Sequence, residues 1–252
     1  MQKAYAFFDQ FEIIRLLPIH PFGNFDISIT NSTLFLVLAA LYFVFFYQTN
    51  LQNGTVIPGR YQSIIEISYE TIHDMIKENI PGRDGYRFFP FLYTIFIFIL
   101  IINLFGLIPY TFTPTAHFAI TFGLSTSIFL ATVIMGFTNF KLDYFSFLMP
   151  NGAPMVMAWF LVPIEMISHV ATALTLGLRL AGNITAGHLL FAILSSFAWQ
   201  MLMAGGMIAV ASLFPLVICF AITVLEMAVS AIQAYVFVLL TVIYLNNAMN
   251  LH

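Results

Sequence analysis

The chain has 252 residues, of which 61% are hydrophobic and 8% are charged, where soluble domains carry about 25% charged residues. A mean hydropathy of +0.95, with 17% aromatic residues, excludes a soluble globular core and places the chain in a membrane. The net charge of -3 offers no basic footprint for nucleic acid, and the single Cys219 excludes an internal disulfide and any multi-cysteine metal site.

Residues 1–31 are mixed in character and polar at both ends. The first fifteen lack an uninterrupted apolar core and a small-residue cleavage site, so no cleavable signal is read there. A short surface helix is expected before Pro18 and Pro21. Ser32 and Thr33 are candidate N-caps for the apolar run LFLVLAALYFVFFY. That run predicts a first crossing over 32–48, and the turn-rich QTNLQNGTVIPG breaks it.

Residues 60–80 differ in kind. Ile64, Ile65, Ile72, Met75 and Ile76 recur at helical spacing, and Glu66, Glu70, Asp74 and Glu78 fall four apart on another face. This pattern predicts an amphipathic helix on the membrane surface. Four stacked acids repel one another, so they form either a solvated face or a docking stripe for a basic partner. Pro81-Gly82 ends the helix.

Two crossings follow, over 88–110 and 116–138. The first contains Asn103 and closes at Pro109. The second contains Ser125, Thr126, Ser127 and Thr132, whose hydroxyls can bond back to the carbonyl one turn earlier. A loop with Lys141, Asp143 and MPNGAP comes next. The last two tracts, 155–199 and 207–245, are each close to twice the roughly 20 residues that a straight crossing needs. Neither has turn chemistry at its middle, and the second has no Gly after Gly206. Two long, strongly tilted helices joined near Gly205-Gly206 are therefore expected. Gly177, Gly182 and Gly187, five residues apart, suit close approach of another backbone. The fold class is an all-α polytopic membrane protein. It forms a single membrane segment over 1–252, with about five crossings and one amphipathic surface helix.

Lys and Arg set the expected orientation. Arg60, Lys77, Arg83 and Arg87 lie between the first two crossings, and Lys141 follows the third. The loop at 110–115 and the turn at 200–206 have neither residue. The positive-inside rule then puts the N-terminus outside and the C-terminus inside. Lys3 and Arg15 weigh against this, but Asp9 and Glu12 accompany them.

The stretch WFLVPIEMISHVATALTLGLRLAGNITAGHLLFAILSSF carries one permanent cation, Arg179, deep within apolar sequence. Arginine keeps its proton in proteins, and an Arg at mid-membrane costs roughly 3 kcal/mol on insertion scales. A snorkelling end-of-helix Arg does not fit, because apolar residues extend far on both sides. Glu165, His169 and Thr172 share a face at offsets of four and seven, and Asn183 returns to it. His188 lies in the same run. In the next tract Glu226, Ser230 and Gln233 share a face, with Tyr244 near it. Carboxylates and imidazoles exchange protons near neutral pH and Arg does not, so these groups read as two proton half-paths with a barrier between them. The plainer readings are a buried ion pair of Glu226 with Arg179, and a hydrogen-bonded structural role for His169. His20, His73, His117 and His252 read as solvated or interfacial. No H-E-x-x-H, paired-Cys or nucleotide-binding Gly motif occurs, so no metal or cofactor is expected.

The motifs LGLRLAGNITAGH at 176–188, EMAVSAIQAYVFVLLTVIYL at 226–245 and NLFGLIPY at 103–110 resemble subunit a of the rotary ATP synthase. The resemblance covers nearly the whole chain. It implies a stator proton-channel subunit that is not an enzyme on its own. Its implied partners are a ring of c subunits, the peripheral stalk and other membrane-sector subunits, and membrane lipids; its cargo is protons. Arg179 matches the family's essential arginine, which faces the ring carboxylate. Asn183, His188, Glu226 and Gln233 match the outer half-channel and Glu165 the inner one, beside which His169 is placed. The pairing of His188 with Glu226 is similar to mitochondrial and related bacterial members, so the mitochondrial inner membrane is expected, with a bacterial plasma membrane as the alternative. Many members carry an acid near the end of the last helix, where this chain has Asn246 and Asn247. The competing class is an ion-coupled secondary transporter, which would show internal repeats and broken midplane helices. A purely structural scaffold would not need Arg179.

Overall fold

The computed structural model describes residues 12–18, 28–52, 54–80, 82–108, 111–141 and 157–249. The described residues form seven α-helices: α1 (Asn31–Gln52), α2 (Arg60–Asn79), α3 (Arg83–Gly106), α4 (Phe118–Phe140), α5 (Ala158–Ala204), α6 (Gly206–Ala211) and α7 (Leu213–Met249). Among the described residues five stretches are long and apolar enough to cross a membrane: Asn31–Asn50, Gly85–Gly106, Phe118–Phe140, Trp159–Ala204 and Gly206–Met249. The protein is all-α and polytopic.

The N-terminal region departs from expectation. The end of the expected surface helix is extended instead: β1 (Arg15–Leu17) pairs antiparallel with β2 (Ile29–Thr30). Pro18 disfavours helical backbone at the residue before it, and Ile13 and Ile14 favour extended chain. The rest of that expectation, over 1–11, lies outside the described residues. The strand pair holds the head of α1, because the Asn31 amide side chain donates to the Glu12 carbonyl at 3.0 Å. The cap of α1 is Thr30, not Ser32 or Thr33: the Thr33 backbone N–H points to Thr30 Oγ1 at 3.4 Å, the N-cap pattern.

Helix α2 buries Ile65, Ile72, Met75 and Ile76 and leaves Glu66, Glu70, Asp74 and Glu78 exposed. Its buried stripe meets protein, since Ile72 is fully covered by the chain itself. Gly82, at φ 113, turns the chain into α3. Gly85 then packs so closely that a Cβ there would meet the Ile80 carbonyl at 2.9 Å. His73 stands half-buried among Tyr69, Tyr86 and Phe89. The Tyr47 and Tyr93 hydroxyls bond to each other, and Tyr93 reaches Ser68 at 3.0 Å. Pro109, expected to close α3, lies outside the described residues. Helix α3 ends at Gly106, and the 3-10 turn Pro114–Ala116 leads to α4. His117 stacks on Phe112 at 5.2 Å, and burial holds its pKa below the usual imidazole value. His20 and His252 are outside the described residues.

Helix α5 has 47 residues, about 70 Å at 1.5 Å per residue, against roughly 30 Å of hydrocarbon. Pro163 sits near its start, where missing backbone bonds cost least. It ends at Gly205 and Gly206, both with positive φ (72 and 62) that glycine adopts without strain. The tract that follows is interrupted once, at Ser212, which separates α6 from α7. Pro215 has no N–H to give the Ala211 carbonyl, so the helix restarts there. Beyond that restart α7 runs unbroken for 37 residues.

The chain folds as two compact units. The first is Met1–Phe45, Phe98–His117 and Leu180–Gln233; the second is Phe46–Ile97, Phe118–Arg179 and Ala234–His252. In the second unit the α4 hydroxyls bond back to the chain, as expected, but mostly three residues earlier: Ser125 to Phe122 at 3.2 Å, Ser127 to Leu124 at 2.9 Å and Thr132 to Phe129 at 2.8 Å. Ser125 and Thr121 also form the surface on which α5 lies, because a Cβ at Gly177 would meet Ser125 Oγ at 2.8 Å and the Thr121 carbonyl at 3.1 Å. Around Gly182 nothing lies within 4 Å. Gly177→Val is expected to destabilise the protein by about 1–3 kcal/mol through overpacking. Gly182→Ala is expected to be neutral or to stabilise by up to ~1 kcal/mol through helix propensity. Unfolding of the purified protein in mixed micelles with rising SDS measures both, and equal shifts would contradict the packing account.

Candidate functional site

In the first unit three helices converge on one polar pocket. Helix α3 supplies Asn103 and Gly106, Leu107 follows just after its end, α5 supplies Asn183, Ile184 and His188, and α7 supplies Glu226 and Ser230. Asn183 and His188 both reach the pocket from α5, and Glu226 and Ser230, one turn apart on α7, share a face towards it. Asn103 is almost fully buried and Ser230 is buried. Among the described residues the Asn103 Oδ1 and Nδ2 atoms and Glu226 Oε1 are buried without hydrogen-bond partners. Buried polar atoms rarely stay unpaired. The His188 imidazole donates to the Gly106 backbone carbonyl, which fixes its ring.

A glycine allows this convergence. A Cβ at Gly187 would overlap the Glu226 carboxylate. Gly106 plays a similar part on α3: its Cβ would overlap the Thr113 methyl and reach 4.0 Å from His188 Nε2. Of the three glycines read as close-approach sites, Gly177 and Gly187 are such sites and Gly182 is not.

The structure therefore brings Asn183, His188 and Glu226 together. Gln233, two turns beyond Glu226, does not line this pocket; it is buried, with its Nε2 unpartnered among the described residues. In the second unit Glu165 and His169 pair one turn apart on α5, with His169 Nε2 at 3.5 Å from Glu165 Oε1. The His169 ring meets Tyr244 at 5.7 Å edge to face, and the Tyr244 ring meets Phe129 at 5.9 Å. Tyr244 turns its hydroxyl towards Thr172. Asn246 and Asn247 are half-buried near the end of α7. Arg179 lies near the middle of α5 and is exposed; it makes no ion pair among the described residues. Cys219 is a buried free thiol, in keeping with a packing role.

Asn103 lines the pocket without having been assigned to it from the sequence, whereas Ser230 was expected on the face of Glu226. The signal for Asn103 was present, an amide inside an otherwise apolar crossing, but one helix alone does not say which neighbour its side chain faces. Tyr244 was visible only as a residue near the Glu226 face; its place beside His169 depends on the packing of α7.

The fold and the pocket together define a polytopic helical membrane protein with a carboxylate, an imidazole and two amides gathered in one place. Comparison with known proteins specifies the kind. The model of the family described as ATP synthase A chain matches residues 31–246. The chain is 47% identical to ATP synthase subunit a of Marchantia polymorpha over 247 residues, covering 97% of this chain and 98% of that one. It is 43% identical to ATP synthase subunit a of Metridium senile (98% of this chain and 99% of that one) and 39% identical to ATP synthase subunit a of Rhodospirillum rubrum (97% and 98%). The chain belongs to the ATP synthase A chain family. As such it is a membrane-sector component of the synthase, with a proton-channel stator role, and not itself the catalytic part.

Gly187→Ala is expected to push the Glu226 carboxylate out of the pocket and slow proton passage through the membrane sector by about 10–100-fold, the usual effect of a misplacement near 1 Å. Adding Glu226→Asp, which withdraws the carboxylate by one methylene, is expected to recover part of the loss. Passive proton conduction in proteoliposomes measures both; a Gly187→Ala protein that conducts normally contradicts the assignment.

Proposed function

We propose that this chain carries two offset proton half-channels separated by Arg179, which load and unload carboxylates on a rotating ring of c subunits. The outer path uses Asn183, His188, Glu226 and Gln233, and the inner path uses Glu165 and His169. The pocket that unites Asn183, His188 and Glu226 is the observation that carries this reading. Groups in it can pass a proton, and no permanent cation lines it. Arg179 supports the second half of the proposal: an exposed permanent charge in a helix of membrane length calls for an anionic partner outside the chain. A ring carboxylate meets that need. Peripheral-stalk subunits and lipids complete the partners, and the setting is the mitochondrial inner membrane. An ion-coupled transporter is disfavoured, because α5 is continuous where such folds break.

Arg179 has two tasks in this scheme. It attracts the deprotonated ring carboxylate; an opposite charge within ~4–6 Å shifts a carboxylate by roughly 1–3 units. It also blocks direct transfer from the outer path to the inner one, against a driving force of about 2.3 kcal/mol per 100 mV for each charge. Arg179→Ala is expected to abolish coupled synthesis and leave a passive leak. Arg179→Lys keeps a cation but loses the planar fork, and is expected to fail in coupling with a smaller leak. Glu226→Gln is expected to slow entry from outside, and Glu165→Gln exchange on the inside. The whole synthase in liposomes, with an imposed potential, reports internal pH and ATP together. Normal synthesis without leak by Arg179→Ala would remove the centre of the proposal, and full synthesis at low driving force by both Gln variants would remove the relay.

The charge distribution supports an orientation with residues 200–206 outside and residues 60–87 inside. Single cysteines at positions 203 and 65 are expected to react with an impermeant thiol reagent from opposite sides of intact vesicles; reaction from the same side refutes the orientation.

A further inference from the structure

Asn103 is the least explained polar residue of the first unit. Its side chain is 1% exposed, and neither Oδ1 nor Nδ2 has a hydrogen-bond partner among the described residues. It belongs to an apolar helix, α3, where a Leu or Ile would pack without loss. Leaving buried polar atoms unpaired is costly. The amide nevertheless faces a pocket that also holds the unpartnered Glu226 Oε1. That pocket leaves about 10 Å³ for the centre of a water molecule. One bound water needs about 10–15 Å³ by the same measure, together with two to four polar partners. Asn103, Glu226, Asn183 and Ser230 supply the partners.

We propose that Asn103 is a positioning residue that holds one water against Glu226, and that this water is the last carrier before the carboxylate. The proposal rests on the reading of Glu226 as a relay group. The water accepts a hydrogen bond from Asn103 Nδ2–H and points a hydrogen at Glu226 Oε1. A proton that reaches the water forms a new O–H bond; a different O–H bond breaks as a proton passes to the carboxylate, and the water is left unchanged. The amide gains and loses nothing. An amide suits this position because it donates and accepts at once and does not titrate. A carboxylate or an imidazole there would compete for the proton. His188 is already held by the Gly106 carbonyl, so its ring bounds the pocket on a second side.

The test compares Asn103→Leu, Asn103→Ser, Asn103→Ala, Glu226→Gln and the Asn103→Leu/Glu226→Gln double variant in the whole synthase, reconstituted in liposomes. Proton-driven ATP synthesis is measured at low driving force, with subunit retention checked on native gels. Asn103→Leu keeps the volume and removes the polar atoms; it is expected to lower the rate at least tenfold. Asn103→Ser makes room for a second water and is expected to recover at least half of that loss on a logarithmic scale. A packing role predicts the reverse order, with Leu tolerated and Ser damaged. The double variant is expected to be no slower than Glu226→Gln alone, because both changes break one link. Should Leu prevent assembly, Ser and Ala decide: Ser is expected to exceed Ala by about threefold or more, and equality overturns the proposal. A near-normal Asn103→Leu, or multiplied losses in the double variant, also overturns it. If Glu226→Gln fails while Asn103→Leu is normal, only the water link falls. If Glu226→Gln synthesises fully, the relay reading falls and takes the water link with it.

Discussion

The charge of Arg179 cannot be removed, and the chain around it has to be arranged to live with that. Its insertion cost of roughly 3 kcal/mol is modest against the contributions of Leu, Ile, Phe and Val, at about 0.3–0.6 kcal/mol each when central, across a helix of 47 residues. Insertion is therefore not the difficulty. The difficulty is local: an exposed guanidinium at mid-helix needs an anion or water at hand. Among the described residues no carboxylate of this chain pairs with it. Glu165 precedes it by fourteen residues, about 21 Å along the same helix, and is engaged with His169.

Small residues decide how the polar groups meet. In an apolar medium nothing drives helices together except packing and polar contacts. Gly187 removes the side chain that would stand between the α5 backbone and the Glu226 carboxylate. Gly177 does the same beneath Ser125 and Thr121. Each compact unit thereby has its own polar set: amides, an imidazole and a carboxylate in the first, and an acid–histidine pair with Tyr244 in the second. The apolar remainder does not compete with these sets. Leu38, Phe45, Phe214 and Phe220 stay exposed, ready for lipid.

The long elements were legible in the sequence because length and apolar content suffice to define them. Residues 207–245 have no glycine after Gly206, so a long helix was the natural reading, and α7 runs to Met249. What was not legible depended on one missing hydrogen bond or on a neighbour. Pro215 placed a break at Ser212 that composition does not announce. The strand pair of Arg15–Leu17 with Ile29–Thr30 needs two segments to meet, and its extended backbone made Thr30 the cap in place of the next two hydroxyl residues. The candidate site was half legible in the same sense. Glu226, His188 and Asn183 stood out as polar residues in apolar runs. That Asn103 joins them and Gln233 does not is a matter of which helix faces which.

The surroundings of Glu226 bear on what a carboxyl group can do there. A carboxylate beside a permanent cation in a low-dielectric site is held by several kcal/mol and rarely lets its charge go. A carboxyl in an apolar pocket is held just as firmly in its neutral form. Neither can take up and release a proton at a useful rate from a nearby donor. Around Glu226 the pocket offers Asn103, Asn183, Ser230 and the His188 ring, bounded by Ile184 and Leu107. Amides and hydroxyls donate to a carboxylate and accept from a carboxylic acid, so they favour neither form strongly. Glu226 thus has neutral dipoles beside it and no permanent charge in the pocket lining. The permanent charge of α5 stands elsewhere, at Arg179, outside that lining.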